Sequence, residues 1–207
     1  MIVAVDGPAA SGKGTIARAL AAHYALPYLD TGLLYRAVGI AVLRHGSEPD
    51  DAQAALAACA FSPAMLHDPE IRSEAASRAA SSVSAHPAVR AALLERQREF
   101  AQQPGGAVLD GRDIATVIAP AADAKLFVTA TAQARAARRY AELQSRGAAV
   151  SLDHVLADIV ARDQRDSERS VAPLVRAPDA DLLDTTDLTI DAAVRRAIAL
   201  VEARIKP

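Results

Sequence analysis

The apolar positions of this chain alternate between two periods. Short runs rich in β-branched residues, Ile2-Val3-Ala4-Val5, Ala107-Val108-Leu109 and Lys125-Leu126-Phe127-Val128, read as buried strands. Pro27-Tyr28-Leu29, ending at Asp30, and Leu182-Leu183 add two shorter candidates. Stripes at helical spacing stand between them. Ile16, Ala19 and Leu20 mark a helix that opens at Gly12-Lys13-Gly14-Thr15, and Leu33, Leu34, Ala37, Val38, Ala41 and Val42 mark another, to about His45. A third is expected over 51–60 with Asp50 or Asp51 as its cap, and a strong one over 87–102 with Pro87 in its first turn. Thr131 caps a helix through Ser145, Ser151 starts a long one to about Ser170, and 191–204 carry a final amphipathic helix. Residues 61–70 have no clear period, and 71–84 read as weakly helical. Strands alternating with helices predict an α/β fold with a parallel sheet covered on both faces.

Composition narrows the picture. The 207 residues suffice for one substantial core. Half of them are hydrophobic (51%), but much of that is alanine and only 3% are aromatic, so helices must approach one another closely rather than fill space with large side chains. A net charge of −2 leaves no footprint for a nucleic-acid polymer or a membrane surface. Cys59, the lone cysteine, reads as a small buried residue and fits a reducing compartment. No apolar run approaches membrane-spanning length, and the chain opens on a strand rather than a signal peptide, so a cytoplasmic protein is expected.

The first strand, the loop after it and the helix that follows carry the strongest chemistry. Gly7 to Lys13 match G-x-x-x-x-G-K, and the loop Gly7, Pro8, Ala9, Ala10, Ser11, Gly12, Lys13, Gly14 and Thr15 is expected to hold a nucleoside triphosphate. Small side chains let backbone N–H groups converge on phosphate oxygens, the helix N-terminus adds its dipole, and Lys13 adds a point charge. The bland alternative is a glycine-rich turn with an exposed lysine. Gly14 stands where many such loops have Ser or Thr, a variant closer to nucleoside monophosphate kinases than to GTPases. Asp110, after the third strand, occupies the position that orders a magnesium shell through water, although a helix cap would also explain it. A salt bridge is the plainer alternative for Arg112, and Arg36 could be a solvated helix residue. Arg162, Asp166 and Arg169 continue an apolar helical face as a charged one, which points either to a polar cleft or to an internal arginine–aspartate ladder. Arg135, Arg138 and Arg139 form a further cluster, a phosphate site or a solvated face partly neutralised by Glu142.

In order along nearly the whole chain, DGPAASGKGT, LDTGLLYR, SSVSAHPAVRAALLERQREF, LDGRDIATVIAP, AKLFVTA, RDQRDSERSVAPL and LLDTT resemble the bacterial cytidylate kinases. The resemblance implies one kinase domain over 1–207. This would be a three-layer P-loop kinase fold with a five-stranded parallel sheet, a helical monophosphate-binding insert (31–86) and a short lid (142–152). It implies transfer of the ATP γ-phosphate to CMP or dCMP, with Mg2+ entering as the ATP complex, by a monomer. It further implies that Thr31, Arg36 and Arg112 hold the CMP phosphate, with Tyr35 also in the CMP site. Ser81, Arg90 and Asp113 would read the base, and Arg162 and Asp166 would sit by the sugar. Lys13, Arg112, Arg162 and Arg169 would serve the reacting phosphoryl group, with Arg135 and Arg139 on the ATP side. Ala10 replaces a common glycine of the family, and 61–73 show no strand alternation, so the small antiparallel sheet often found in the insert is expected to be trimmed or missing. Another small-molecule P-loop kinase is the nearest alternative, and a nucleotide-dependent switch a more distant one.

Overall fold

Strand β1 (Ile2–Asp6) lies at the centre of a five-stranded sheet in the computed structural model, which describes residues 1–205. With β2 (Tyr28–Asp30), β3 (Ala107–Gly111), β4 (Ala124–Thr129) and β5 (Asp181–Asp184), the order across the sheet is β2-β3-β1-β4-β5 and the strands are parallel. Each strand predicted from the apolar runs is present. The register pairs Ile2 with Ala107 and Asp6 with Gly111 on one side of β1, and Val3 with Ala124 on the other. The helices in chain order are α1 (Lys13–Tyr24), α2 (Thr31–Arg44), α3 (Ala52–Ala57), α4 (Glu74–Val83), α5 (Pro87–Ala101), α6 (Ala132–Ser145), α7 (Leu152–Glu168) and α8 (Ile190–Ile205).

Two units divide the chain. The main unit comprises Met1–Leu29 and the chain from Ala101 onward. Val3, Val5, Val108, Leu126, Val128 and Leu183 point to one face of its sheet, where Ile16, Ala17 and Leu20 of α1 and Ala193, Ala197 and Val201 of α8 cover them. Strand alternation turns Ala4 and Asp6 to the opposite face. Helices α6 and α7 pack on each other through Ala136, Leu143, Val155 and Ile159. One wide helical turn, Ile114–Ile118, has no signal in the apolar pattern. Its bonds run five residues back, from Ile118 N–H to Asp113 O (3.2 Å) and from Ala119 N–H to Ile114 O (2.7 Å). Turns of this kind are frequent at functional sites.

The second unit, Asp30–Phe100, has its own core of Leu34, Val38, Val42, Ala76, Ala80, Val83 and Leu93. Asp30 caps α2 by accepting from Gly32 N–H at 3.0 Å, and Asp51, of the two candidates, caps α3. Residues 61–73 hold single 3₁₀ turns at Pro63–His67 and Pro69–Arg72, each opened by a proline and capped by Ser62 or Asp68, and no strand among them. The weakly helical stretch resolves into the second of these turns and α4, whose N-cap Ser73 accepts from Ala76 N–H at 3.0 Å. Cys59 departs from expectation. It is half-buried and donates weakly to Ala55 O at 3.4 Å, and burial pushes its thiol pKa upward.

Alanine content shows its use where α2 meets α4. A Cβ built on Gly39 would lie 2.7 Å from Ala79 Cβ and 3.1 Å from the Ala79 carbonyl carbon. In an open helix, Gly→Ala gains up to ~1 kcal/mol. Here overpacking against fixed backbone costs ~1–3 kcal/mol, and overpacking wins. Gly39→Ala should therefore lower the thermal midpoint by several degrees; calorimetry on parent and variant tests this, and an unchanged or raised midpoint would show that the two helices can move apart freely.

Candidate active site

Parallel strands end at one side of a sheet, so the segments that follow β1 and β3 emerge as neighbours. After β1 the chain turns tightly at Gly7, where a Cβ would come within 2.0 Å of Val128 O. Ala10 follows with φ +58°, a left-handed conformation that explains why glycine is common there and that costs an alanine ~1–2 kcal/mol. Gly12 (φ 87°) is the N-cap of α1, and no side chain caps that helix. The first-turn N–H groups thus face the loop, the arrangement that binds anions. Ser11 is fully buried, and its hydroxyl has no hydrogen-bond partner among the described residues. The loop is held from outside by its carbonyls: Ser11 O accepts from Thr185 Oγ1 at 2.9 Å and Ala9 O from Arg135 Nη1 at 3.2 Å.

Asp110, near the end of β3, is buried beneath this loop. Its Oδ2 is 3.6 Å from Lys13 Nζ, and its Oδ1 accepts from the Tyr28 hydroxyl at 2.5 Å. The carboxylate is therefore a partner of the phosphate-loop lysine and not a helix cap. Among the described residues, no three His, Cys, Asp or Glu side chains cluster tightly enough to hold a metal ion directly. A single buried carboxylate beside a phosphate cradle fits a cation that arrives with its nucleotide and keeps its water.

Beyond Gly111 the charged residues gather. Arg112 Nε donates to Asp166 Oδ2 at 2.8 Å, and Arg162 Nε lies 4.0 Å from the same oxygen. Burial pushes the Asp166 carboxyl upward, but the Arg112, Arg162 and Arg169 guanidiniums outweigh it and hold it below the usual carboxylate range. Arg169 Nη2 stands 4.0 Å from Asp113 Oδ1. Helix α7 ends at Glu168, just short of the expected end near Ser170, because Arg169 is its extended C-cap residue and Leu174 N–H takes the Asp166 carbonyl. Arg169 thus joins the group from the helix end rather than from the helical face, and its Nε donates to Ala172 O at 2.5 Å. The arginine–aspartate ladder is present: aspartates hold the arginines in place, and one of those arginines comes from β3's end rather than from α7.

The α6 arginines divide. Arg135 is buried and bidentate on Asp163 (3.0 and 2.5 Å), with a further bond to Ala130 O. Arg138 donates to Thr185 Oγ1 at 3.0 Å and to Thr185 O at 2.5 Å. Arg139 donates to Glu142 Oε2 at 2.5 Å, the neutralisation anticipated for this cluster. Sequence reasoning missed Tyr28, Asp163 and Thr185 as partners of site residues. All three stood inside or beside the motifs, but their roles depend on contacts between distant segments.

Within the second unit, Thr31 and Tyr35 are buried on the first turns of α2. Arg36 Nη1 donates to Ile71 O at 3.1 Å and its Nη2 to Ser77 Oγ at 3.4 Å. Ser81, one turn after Ser77 on α4, is buried. Arg90 is buried too, with its guanidinium 5.4 Å from the Tyr35 ring centroid and one nitrogen 3.3 Å from Ser84 O. A buried arginine stacked on a tyrosine is pre-positioned and weakly hydrated, as recognition of a planar ligand requires.

Comparison with known proteins agrees with this picture along the whole chain. The family model described as cytidylate kinase matches residues 3–203. The chain is 58% identical to a cytidylate kinase of Xanthobacter autotrophicus over 99% of its length and 98% of that protein's. It is 57% identical to one of Methylocella silvestris, over 98% and 94% respectively. Among solved structures, an uncharacterized protein from Eubacterium ventriosum shares the fold with a TM-score of 0.58 at 15% identity, 99% of each chain being covered. An α/β chain with a phosphate loop after its first strand and paired arginines and aspartates after its third, matched over its length by these relatives, belongs to the cytidylate kinase family.

Proposed function

We propose that this chain is an ATP-dependent phosphotransferase that moves the γ-phosphoryl group of ATP to CMP or dCMP. The observation that carries the reading is the approach of Lys13 to Asp110, 3.6 Å, beside an α1 N-terminus without a side-chain cap. That combination is a phosphate cradle with a carboxylate set for the shell of a nucleotide-borne cation. The choice of cytosine nucleotide is supported by the relatives named cytidylate kinase.

Phosphoryl transfer demands alignment and charge neutralisation, with little covalent work for the protein. Gly7 to Thr15 cradle the ATP phosphates, Lys13 neutralises the transferring group, and Arg135 and Arg139 serve the ATP side. Arg135 does so through the Ala9 carbonyl it already holds. Mg2+ arriving with ATP would supply charge to the phosphate oxygens, and Asp110 would be the residue that holds its water. Thr31 and Arg36 of the 31–86 insert, with Arg112, take the CMP phosphate, and Tyr35 adds to the CMP site. Ser81, Arg90 and Asp113 read the base, Arg162 and Asp166 the sugar, and Arg112, Arg162 and Arg169 gather at the transferring phosphoryl group. Residues 142–152 act as the lid, and the working form is a cytoplasmic monomer, in keeping with a lone cysteine. Cytosine offers O2 and N3 as acceptors and its 4-amino group as a donor, so an arginine and an aspartate together satisfy it.

Two measurements test the assignment. Lys13→Ala should retain the fold and lose ~10²–10³ in kcat, the worth of one transition-state charge contact; single-turnover kinetics with CMP, alongside a thermal melt, would read both. Normal turnover, or an unfolded variant, would remove Lys13 from the chemistry. Uracil puts a carbonyl where cytosine has its amino group, and leaving such a buried group unpaired costs ~1–3 kcal/mol. CMP should therefore exceed UMP in kcat/KM by roughly tenfold to a hundredfold, and Asp113→Asn should shrink that ratio, because an amide can turn a donor to uracil O4. Equal ratios in an active variant would exclude Asp113 from base reading.

A further inference from the structure

Asp6 is the last residue of β1, buried, on the sheet face opposite Val3 and Val5. It is not one of the residues assigned to either substrate. Its Oδ1 accepts from Ile114 N–H and its Oδ2 from Ala115 N–H, each at 2.8 Å. Those two N–H groups are the first donors of the wide turn Ile114–Ile118, which the segment's own hydrogen bonds leave without an intrahelical partner.

Asp113 stands at the N-cap of that turn. An aspartate there ordinarily folds back and accepts from the N–H groups that follow it. In this structure it does not: Asp113 makes no side-chain cap bond, and its carboxylate faces Arg169 Nη2 at 4.0 Å. The backbone at Asp113, with φ −146° and ψ 24°, lies outside the extended region of an ordinary N-cap, and Asp113 O still accepts from Val117 and Ile118 N–H. The turn is capped, but from another strand. Because Gly111 pairs with Asp6 across β1 and β3, the accepting carboxylate reaches the turn over a short, fixed path.

We propose that Asp6 is a positioning residue for base recognition: by capping the 114–118 turn from β1, it releases the Asp113 carboxylate from its local capping role and leaves it turned to Arg169 and the cytosine amino group. This rests on the reading that Asp113 recognises the base. The expense of burying Asp6 is consistent with such a role. Burial pushes its pKa up to about 7 despite the two backbone donors, so a carboxylate is kept where an apolar residue would be easier to bury.

The test is the ratio of kcat/KM for CMP and UMP in the parent, Asp6→Asn, Asp113→Asn and the double variant. Asparagine keeps the shape of Asp6 but offers one acceptor and turns an N–H2 against the other N–H, which Asp113 can then satisfy. The ratio should fall by roughly threefold to tenfold in Asp6→Asn, the worth of about one misplaced hydrogen bond, and the double variant should fall no further than Asp113→Asn alone. If Asp113→Asn lowers the ratio and Asp6→Asn leaves it unmoved, base reading by Asp113 stands and the positioning role is overturned. An unmoved ratio in Asp113→Asn overturns the base reading itself, and the proposal with it. A double variant lower than both singles sends Asp6's effect through another route and also overturns it. Should Asp6→Asn not fold, Asp6→Ser, with one acceptor in a smaller volume, takes its place in the same assay; failure of both to fold assigns Asp6 to stability alone and overturns the proposal.

Discussion

Two carboxylates buried at the ends of adjacent strands, Asp6 on β1 and Asp110 on β3, are the constraint on which the main unit depends. A buried carboxylate is tolerated only when its oxygens are served. Asp6 is served by the backbone of the segment after β3, and Asp110 by Lys13 of the phosphate loop and by Tyr28 of β2. Each pair ties one strand end to the segment leaving another. The parallel register makes this possible, since it brings Asp6 level with Gly111 and Val5 level with Asp110. Removing either carboxylate would leave backbone or ammonium donors facing each other across a dry strand end.

The same logic extends to the guanidiniums. Arg112, Arg135 and Arg169 are largely shielded from water, and each has an aspartate at hand, on α7 or in the segment after β3. Such positions are costly unless the charge is compensated before substrate arrives. Asp163 and Asp166, three residues apart and so on one face of α7, provide that compensation toward α6 and toward the end of β3. For a reaction that is mostly charge neutralisation, arginines already desolvated and held need little reorganisation.

Much of this was legible in the residues themselves. Apolar runs bounded by Gly, Pro and Asp located all five strands; the signal is continuous where both faces are buried, as in β1 and β3, and shorter at the edge strands β2 and β5. The phosphate loop was legible from spacing alone, since its chemistry is local and depends on small residues at fixed offsets. Arg169 was misjudged by its helical spacing, because where α7 ends depends on Leu174 returning to the Asp166 carbonyl, a contact no periodicity reports. The wide turn after Asp113 left no trace either: its cap lies 108 positions away in the chain. Alanine hid the half-burial of Cys59 for a related reason, as a stretch of small residues carries no contrast between faces.

The outside grip on the phosphate loop has a further consequence. A peptide unit is planar and trans, so its C=O and the N–H of the next residue point in opposite directions. Thr185 and Arg135, by taking the carbonyls of Ser11 and Ala9, therefore aim the N–H groups of Gly12 and Ala10 toward the loop's interior. The loss of conformational entropy that ordering such a cradle entails is met when the chain folds and not when the nucleotide binds. Nucleotide affinity then carries no loop-ordering term, and the left-handed strain at Ala10 is a charge on the stability of the fold rather than on its grip on phosphate.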